Sequence, residues 1–198
     1  MIRRHNIKPR SARWIARHVC LLCWILLGLT FSARSAIAES KVLPDYEVKA
    51  AFLLNFPKYV EWSADPSAQT NGPIIIAFLG ESKVSEALSK VIPNKSANGR
   101  AIVARVIATD AESAGCHILF IGDSERRRIP AILEKLKGAN LLLVGESADF
   151  LEKGGVINLA VRERKVRVEV NLDAAVRANL KISSKLLGVA DVVKGKAN

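Results

Sequence analysis

Ile74-Ile75-Ile76-Ala77-Phe78-Leu79-Gly80-Glu81-Ser82 is a run of six apolar residues closed by a glycine, an acid and a serine, and an amphipathic helical pattern follows from Lys83 to Val91. Six residues suit a strand buried on both faces and are too few for a buried helix. The alternation continues outward, with apolar runs at residues 102–108, 117–121 and 141–144 and a helical pattern at 126–136. Buried strands alternating with helices predict an α/β fold: a single three-layer domain with a mixed, largely parallel sheet and flanking helices. Residues 156–161 and Lys165–Asn171, joined by a short charged turn, predict a C-terminal antiparallel hairpin, since Val166, Val168 and Val170 alternate with Arg167 and Glu169. Two helices should follow. One runs over residues 172–178 and stops near Asn179; the other is opened by Ser183, with Leu186, Leu187, Ala190 and Val193 as its buried stripe.

Three strands end on the same kind of tripeptide: Gly80-Glu81-Ser82, Gly122-Asp123-Ser124 and Gly145-Glu146-Ser147. Glycine permits the tight turn, while the acid and the serine cap the helix that comes next. The functional alternative puts all three at the carboxyl edge of the sheet, where open α/β proteins bind ligands. Glu81, Asp123 and Glu146 would suit a cationic or hydroxyl-bearing ligand there better than a phosphate. Ahead of the strands, residues 45–62 carry Val48, Phe52, Asn55, Phe56 and Tyr59 at helical spacing, widened by Leu53 and Val60. A helix is expected, kinked or broken at Pro57, which cannot bond to the Leu53 carbonyl. The polar stretch 63–73 reads as the linker to the sheet.

Residues 1–38 read as an export signal, cleaved before Glu39. A basic region precedes thirteen apolar residues at 19–31, and Ala36-Ile37-Ala38 has the small-x-small pattern of a peptidase site. The apolar run is shorter than the roughly 20 residues of a spanning helix, so a periplasmic chain without a stable membrane anchor is expected. The signal takes 7 of the 30 Lys and Arg and no acid. The mature domain, residues 39–198, keeps 23 bases against 19 acids, and the formal charge drops from +11 to +4. A nucleic-acid partner is therefore not expected.

Cys20, Cys23, His5 and His18 leave with the signal, so the mature chain retains Cys116 and His117 alone. That excludes an intrachain disulfide, leaving Cys116 unpaired and buried at a strand start, and it excludes a four-ligand Cys/His metal site. No cofactor is expected. Neighbouring residues entering a strand point to opposite faces, which disfavours Cys116-His117 as a catalytic pair. No G-x-S-x-G elbow or Gly-rich nucleotide loop occurs, and Glu61, Asp65, Asp123, Glu125 and Glu169 are too scattered to form an acid–base pair. No catalytic residue is assigned and an enzyme is not expected. The cluster Arg162-Glu163-Arg164-Lys165-Val166-Arg167 reads as a solvated hairpin tip that guards an edge; the functional alternative is a docking surface for lipid headgroups or an acidic protein.

The segment Tyr46-Glu47-Val48-Lys49-Ala50-Ala51-Phe52-Leu53-Leu54-Asn55-Phe56-Pro57-Lys58-Tyr59-Val60-Glu61-Trp62 resembles the opening signature of the YfiR family (the DUF4154 domain). Later pieces agree in order: Phe78-Leu79-Gly80, Asn98-Gly99-Arg100, Cys116-His117-Ile118-Leu119-Phe120-Ile121, Ser124-Glu125, Gly154-Gly155-Val156-Ile157-Asn158-Leu159, Glu169-Val170-Asn171 and Ile182-Ser183-Ser184-Lys185. The resemblance implies a periplasmic non-enzymatic regulator that represses an inner-membrane diguanylate cyclase. It also implies sequestration by an outer-membrane lipoprotein, control of cyclic-di-GMP-dependent adhesion and biofilm formation, and a homodimer. Relatives stabilised by disulfides differ from this chain, where Cys116 lacks a partner and Ala77 stands where some relatives carry cysteine. Partner- or ligand-binding candidates are the polar members of these motifs, Asn55, Lys58, Glu61, Arg100, Ser124, Glu125, Asn171, Ser183 and Ser184, with Tyr59 and Trp62 as aromatic anchors. Structural readings compete at three of them: Asn171 and Ser183 as helix caps, and Arg100 paired with an acid. The alternative function is a periplasmic small-ligand sensor domain with no cyclase partner.

Overall fold

The computed structural model describes residues 43–63 and 72–193. The expected export signal and most of the expected linker lie outside them. The chain opens with α1 (Asp45–Asn55) and continues through β1 (Val60–Trp62), β2 (Ile74–Leu79), α2 (Lys83–Val91), β3 (Ser96–Ala97), β4 (Arg100–Ile107), β5 (Ile118–Ile121), α3 (Ile129–Lys135) and β6 (Leu142–Gly145). It closes with β7 (Ile157–Arg162), β8 (Lys165–Asn171), α4 (Leu172–Arg177), β9 (Leu180–Ile182), α5 (Ser184–Leu187) and β10 (Asp191–Val193).

The main sheet has the order β10-β8-β7-β6-β5-β2-β4-β3, and β4, β2, β5, β6 and β7 are mutually parallel. The chain steps from β2 to β4 on one side, then crosses to β5, β6 and β7 on the other. Right-handed crossovers in opposite directions put α2 and α3 on opposite faces, which produces the three layers. Ile76, Phe78, Ile118, Phe120, Leu142 and Val144 are buried in the middle layer, with the Phe78 and Phe120 rings 5.6 Å apart. The hairpin β7–β8 is antiparallel, as its alternation predicts.

Helix α2 forms over the residues its pattern marks out, because Ser82 accepts a bond from the Val84 N–H and Val84, Ala87 and Leu88 face inward. The expected helix over 45–62 is corrected. It stops at Asn55; Pro57 sits in a 3₁₀ turn (Phe56–Lys58), and the remainder turns into β1, paired antiparallel with β9. Its inner face is corrected too: Lys49, Ala50, Leu53 and Phe56 are buried, while Val48 and Phe52 are half-buried. At the other end of the chain the helix opened by Ser183 lasts four residues, and Val193 joins β10 beside β8 with 38 % of its surface exposed. Only Leu186 of the expected stripe is fully buried. The helix predicted at 126–136 begins at Ile129, one residue before Pro130, after a 3₁₀ turn at Asp123–Glu125.

Candidate functional site

The two edges of the parallel sheet gather different residues. At the amino edge His117, just before β5, is 4 % exposed and acts as a hub. Its backbone N–H donates to the Ile75 carbonyl (2.9 Å), and its carbonyl accepts from the Leu142 N–H (2.9 Å) and from Trp62 Nε1–H (3.0 Å). The indole also meets the imidazole edge-on at 5.7 Å. Two donors face the ring, the Ile75 N–H at Nδ1 (3.1 Å) and Arg100 Nη2 at Nε2 (2.9 Å), so a neutral imidazole can accept at only one of its nitrogens. Arg100, first residue of β4, also donates from Nε to the Gly72 carbonyl (2.7 Å) and thereby straps the entry of β2 to its neighbours.

The β1/β9 ribbon lies beside this hub. The Ser183 N–H donates to the Tyr59 carbonyl (2.8 Å), and Glu61 stands opposite Lys181, both exposed. Asn98 Nδ2 reaches the Pro57 carbonyl (3.1 Å), and Asn140 Nδ2 reaches the Ala178 carbonyl (3.1 Å). A cavity of about 630 Å³ opens here, lined by Trp62, Asp110, Cys116, His117, Lys135 and Leu136 among others. Lys135 Nζ is 3.4 Å from the buried Asp110 carboxylate. The Cys116 thiol lies above its ordinary range because burial penalises the thiolate, an effect opposed by the Arg105 guanidinium 3.0 Å from the sulfur.

At the carboxyl edge Leu79, Ile121 and Gly145 are in register across β2, β5 and β6, so the three tripeptides emerge side by side. Their expected shared role as helix caps is corrected. Ser82 caps α2; Ser124 and Glu125 instead pack into the space a side chain on Gly80 would need; Ser147 is buried and its hydroxyl has no hydrogen-bond partner among the described residues. Gly80 has φ +86°, so the turn itself requires glycine. Among the described residues only Glu146 of the three acids is recruited to an ion pair, taking the buried Lys49 Nζ at 2.7 Å; it also accepts from the Asp123 N–H at 3.3 Å. A second cavity of about 580 Å³ adjoins Gly80, Glu81, Ser82 and Glu125.

The structure therefore brings Tyr59, Trp62, Arg100 and Ser183 together at the amino edge and leaves Ser124 and Glu125 at the opposite end, where Glu125 pairs with Arg128 at 2.8 Å. Asn55 bonds within its own helix end, accepting from Lys58 Nζ at 3.0 Å. Asn171 is buried, caps α4 through the Ala174 N–H (3.0 Å) and donates to the Leu151 carbonyl (3.1 Å). Ser183 caps α5, and Ser184, its first residue, is exposed. Sequence reading passed over Lys49 and the hub role of His117, which depends on partners up to 55 residues away.

Residues 46–191 match the family model described as DUF4154, YfiR/HmsC-like. The chain belongs to this family. The family is one of periplasmic, regulatory, non-catalytic domains. Among solved structures the chain is similar to a conserved domain protein from Vibrio cholerae, with 13 % identity, 77 % of this chain and 61 % of that one covered, and a TM-score of 0.50. It is also similar to an ABC domain in complex with L-Trp from Streptococcus pneumoniae, with 9 % identity, coverage of 61 % and 55 %, and a TM-score of 0.45. The chain thus spans less than two thirds of the length of either. Among curated proteins no match is found. Among the described residues no helix of the YfiR/HmsC-like domain is long and apolar enough to cross a membrane.

Proposed function

We propose that this domain binds the periplasmic part of an inner-membrane diguanylate cyclase and holds it inactive, and so controls cyclic-di-GMP-dependent adhesion and biofilm formation. The observation that carries the reading is the family match over residues 46–191. The β1/β9 ribbon is the docking surface the geometry supports best. Lys58, Glu61 and Lys181 are exposed there, and Tyr59 and Trp62 are half-buried behind them on a framework fixed by His117. Aromatic anchors rimmed by charge are the usual composition of a contact patch. Release by an outer-membrane lipoprotein requires that the two partners compete for one surface or prefer different states of the domain.

The test is capture of membrane proteins from detergent-solubilised envelope by the exported protein, with cyclase turnover assayed in the captured material. Wild type recovering a cyclase whose turnover rises when the domain is washed away supports the reading. Glu61→Lys and Lys58→Glu, which disturb no buried contact, should abolish capture while circular dichroism stays native. Capture of no cyclase by the wild type refutes the proposal, and capture unaffected by both variants moves the surface off the ribbon.

A further inference from the structure

The β7–β8 hairpin outruns the sheet that carries it. Among the described residues β6 pairs with β7 only at Val144–Ile157 and Gly145–Asn158, and β10 reaches β8 only at residues 169–171, yet the β7/β8 ladder continues to Arg162–Lys165. Past the buried Leu159–Val168 pair, residues 160–162 and their β8 partners 165–167 therefore extend as a two-stranded ribbon, about 10 Å at the ordinary strand rise. Side-chain alternation and the register put Arg162, Lys165 and Arg167 on one face and Val161 with Val166 on the other. Val161 is 48 % exposed, and Arg162 through Lys165 are all exposed.

The turn itself is costly. Glu163 and Arg164 both have left-handed backbone, φ 51° and 61°, the conformation for which two-residue hairpins favour Asn-Gly. This same chain uses Asn98-Gly99 for its other two-residue hairpin, between the paired Ala97 and Arg100. Keeping a charged pair in the strained positions points to a use for the charges at the tip. Edge protection is already supplied by Arg162, which is locked on Glu169 (Nη2 to Oε1 2.6 Å, Nε to Oε1 3.1 Å), with Asn158 Nδ2 holding the other carboxylate oxygen at 2.9 Å. Arg164, Lys165 and Arg167 have no ion pair among the described residues.

We infer that this hairpin docks the domain on an anionic phospholipid surface. Three cations without an ion pair among the described residues, at and beside the tip of a projecting hairpin, complement a deformable plane of phosphate headgroups. An acidic protein would have to supply a concave surface that fits around the tip.

The test is sedimentation of the exported protein with vesicles of equal parts phosphatidylglycerol and phosphatidylcholine, compared with pure phosphatidylcholine. Binding is expected on the anionic vesicles alone and should weaken as salt rises. Single replacements of Arg164, Lys165 or Arg167 should weaken it about five-fold each, and the triple variant Arg164→Asn, Lys165→Gln, Arg167→Gln roughly a hundred-fold. Asn tolerates the left-handed position, and the thermal midpoint confirms that the triple variant is folded. No sedimentation with anionic vesicles, equal sedimentation with both, or a triple variant that binds like wild type overturns the inference. So does loss of an acidic protein partner on triple substitution when vesicles never bind. Because vesicles contain no cyclase, failure here and failure of the repressor reading are separate results.

Discussion

The two edges of the sheet are held by different physics. At the amino edge, side chains from distant segments donate to backbone carbonyls: Trp62 to His117, Arg100 to Gly72, Asn98 to Pro57, Asn140 to Ala178. At the carboxyl edge, three similar turns sit side by side and are held by a partly buried ion pair and by close packing of an aromatic ring on glycines. The amino edge distributes its stability over many bonds of about 1 kcal/mol each, whereas the carboxyl edge concentrates it in two places. The amino edge should therefore tolerate single substitutions better.

The largest effect should come at Phe150. Its fully buried ring fills the space that side chains on Gly145 and Gly155 would need. Phe150→Ala should cost about 3–5 kcal/mol in urea unfolding. Gly145→Ala alone should also destabilise, by about 1–3 kcal/mol, because the methyl would overlap the ring. In the Phe150→Ala background the same methyl enters vacated space, so the double variant should be more stable than the sum of the two costs predicts. Strict additivity would show that the wedge does not organise this edge.

Next comes the Lys49–Glu146 pair, whose side chains are 7 % and 17 % exposed. Lys49→Met leaves a carboxylate beneath α1 without its cation and should cost about 3 kcal/mol. Adding Glu146→Leu removes the stranded charge and should return most of that loss. If the single variant is as stable as wild type, the edge is not concentrated on this pair and the contrast with the amino edge fails.

Trp62→Phe tests the distributed side. It keeps a smaller aromatic ring but deletes the Nε1–H bond to the His117 carbonyl, which still accepts from Leu142. The expected cost is about 1 kcal/mol by the same denaturation measurement. A loss as large as that of Phe150→Ala would make the indole a keystone and erase the distinction between the edges.

The sequence shows the middle of this fold better than its ends. β2, β5 and β6 are continuous apolar runs, and α2 has both a serine cap and a clear inward stripe, so local signals agree with the final structure. β1, β9 and β10 are three residues each, too short for any period to register; they exist because a distant partner completes their hydrogen bonds. Val60 and Trp62 fit a helical stripe as well as a strand, and the turn at Pro57 decides between them. Lys49 hides for a related reason: a lysine reads as a solvent position, and only the fold brings Glu146, 97 residues away, to neutralise it. The three turns share a sequence but differ in structure because the chain that follows each one differs. Only the first leads directly into a long amphipathic helix. Of the residues the family motifs mark out, the fold brings Tyr59, Trp62, Arg100 and Ser183 near one another, and nothing local in the sequence connects them to His117.

The smallest effect concerns Cys116, beside the amino-edge hub. Burial raises its pKa above the ordinary 9.0, and the Arg105 contact recovers only part of that shift. In the unfolded chain the thiol ionises near its ordinary value, while in the native state it is still protonated at the same pH. A raised pKa in the folded state means the contribution to stability is intact below about pH 9 and is lost as the pH rises through the native value. Stability should therefore decline in that alkaline window for the wild type and decline less for Cys116→Ser. Alkylation by iodoacetamide provides the kinetic counterpart. At neutral pH the native thiol should react far more slowly than the same residue in urea, since it is both buried and protonated. Arg105→Met should slow it further by removing the one group that favours the thiolate. Faster alkylation in Arg105→Met would mean that the arginine shields the sulfur rather than activating it, and that the thiol's inertness is steric.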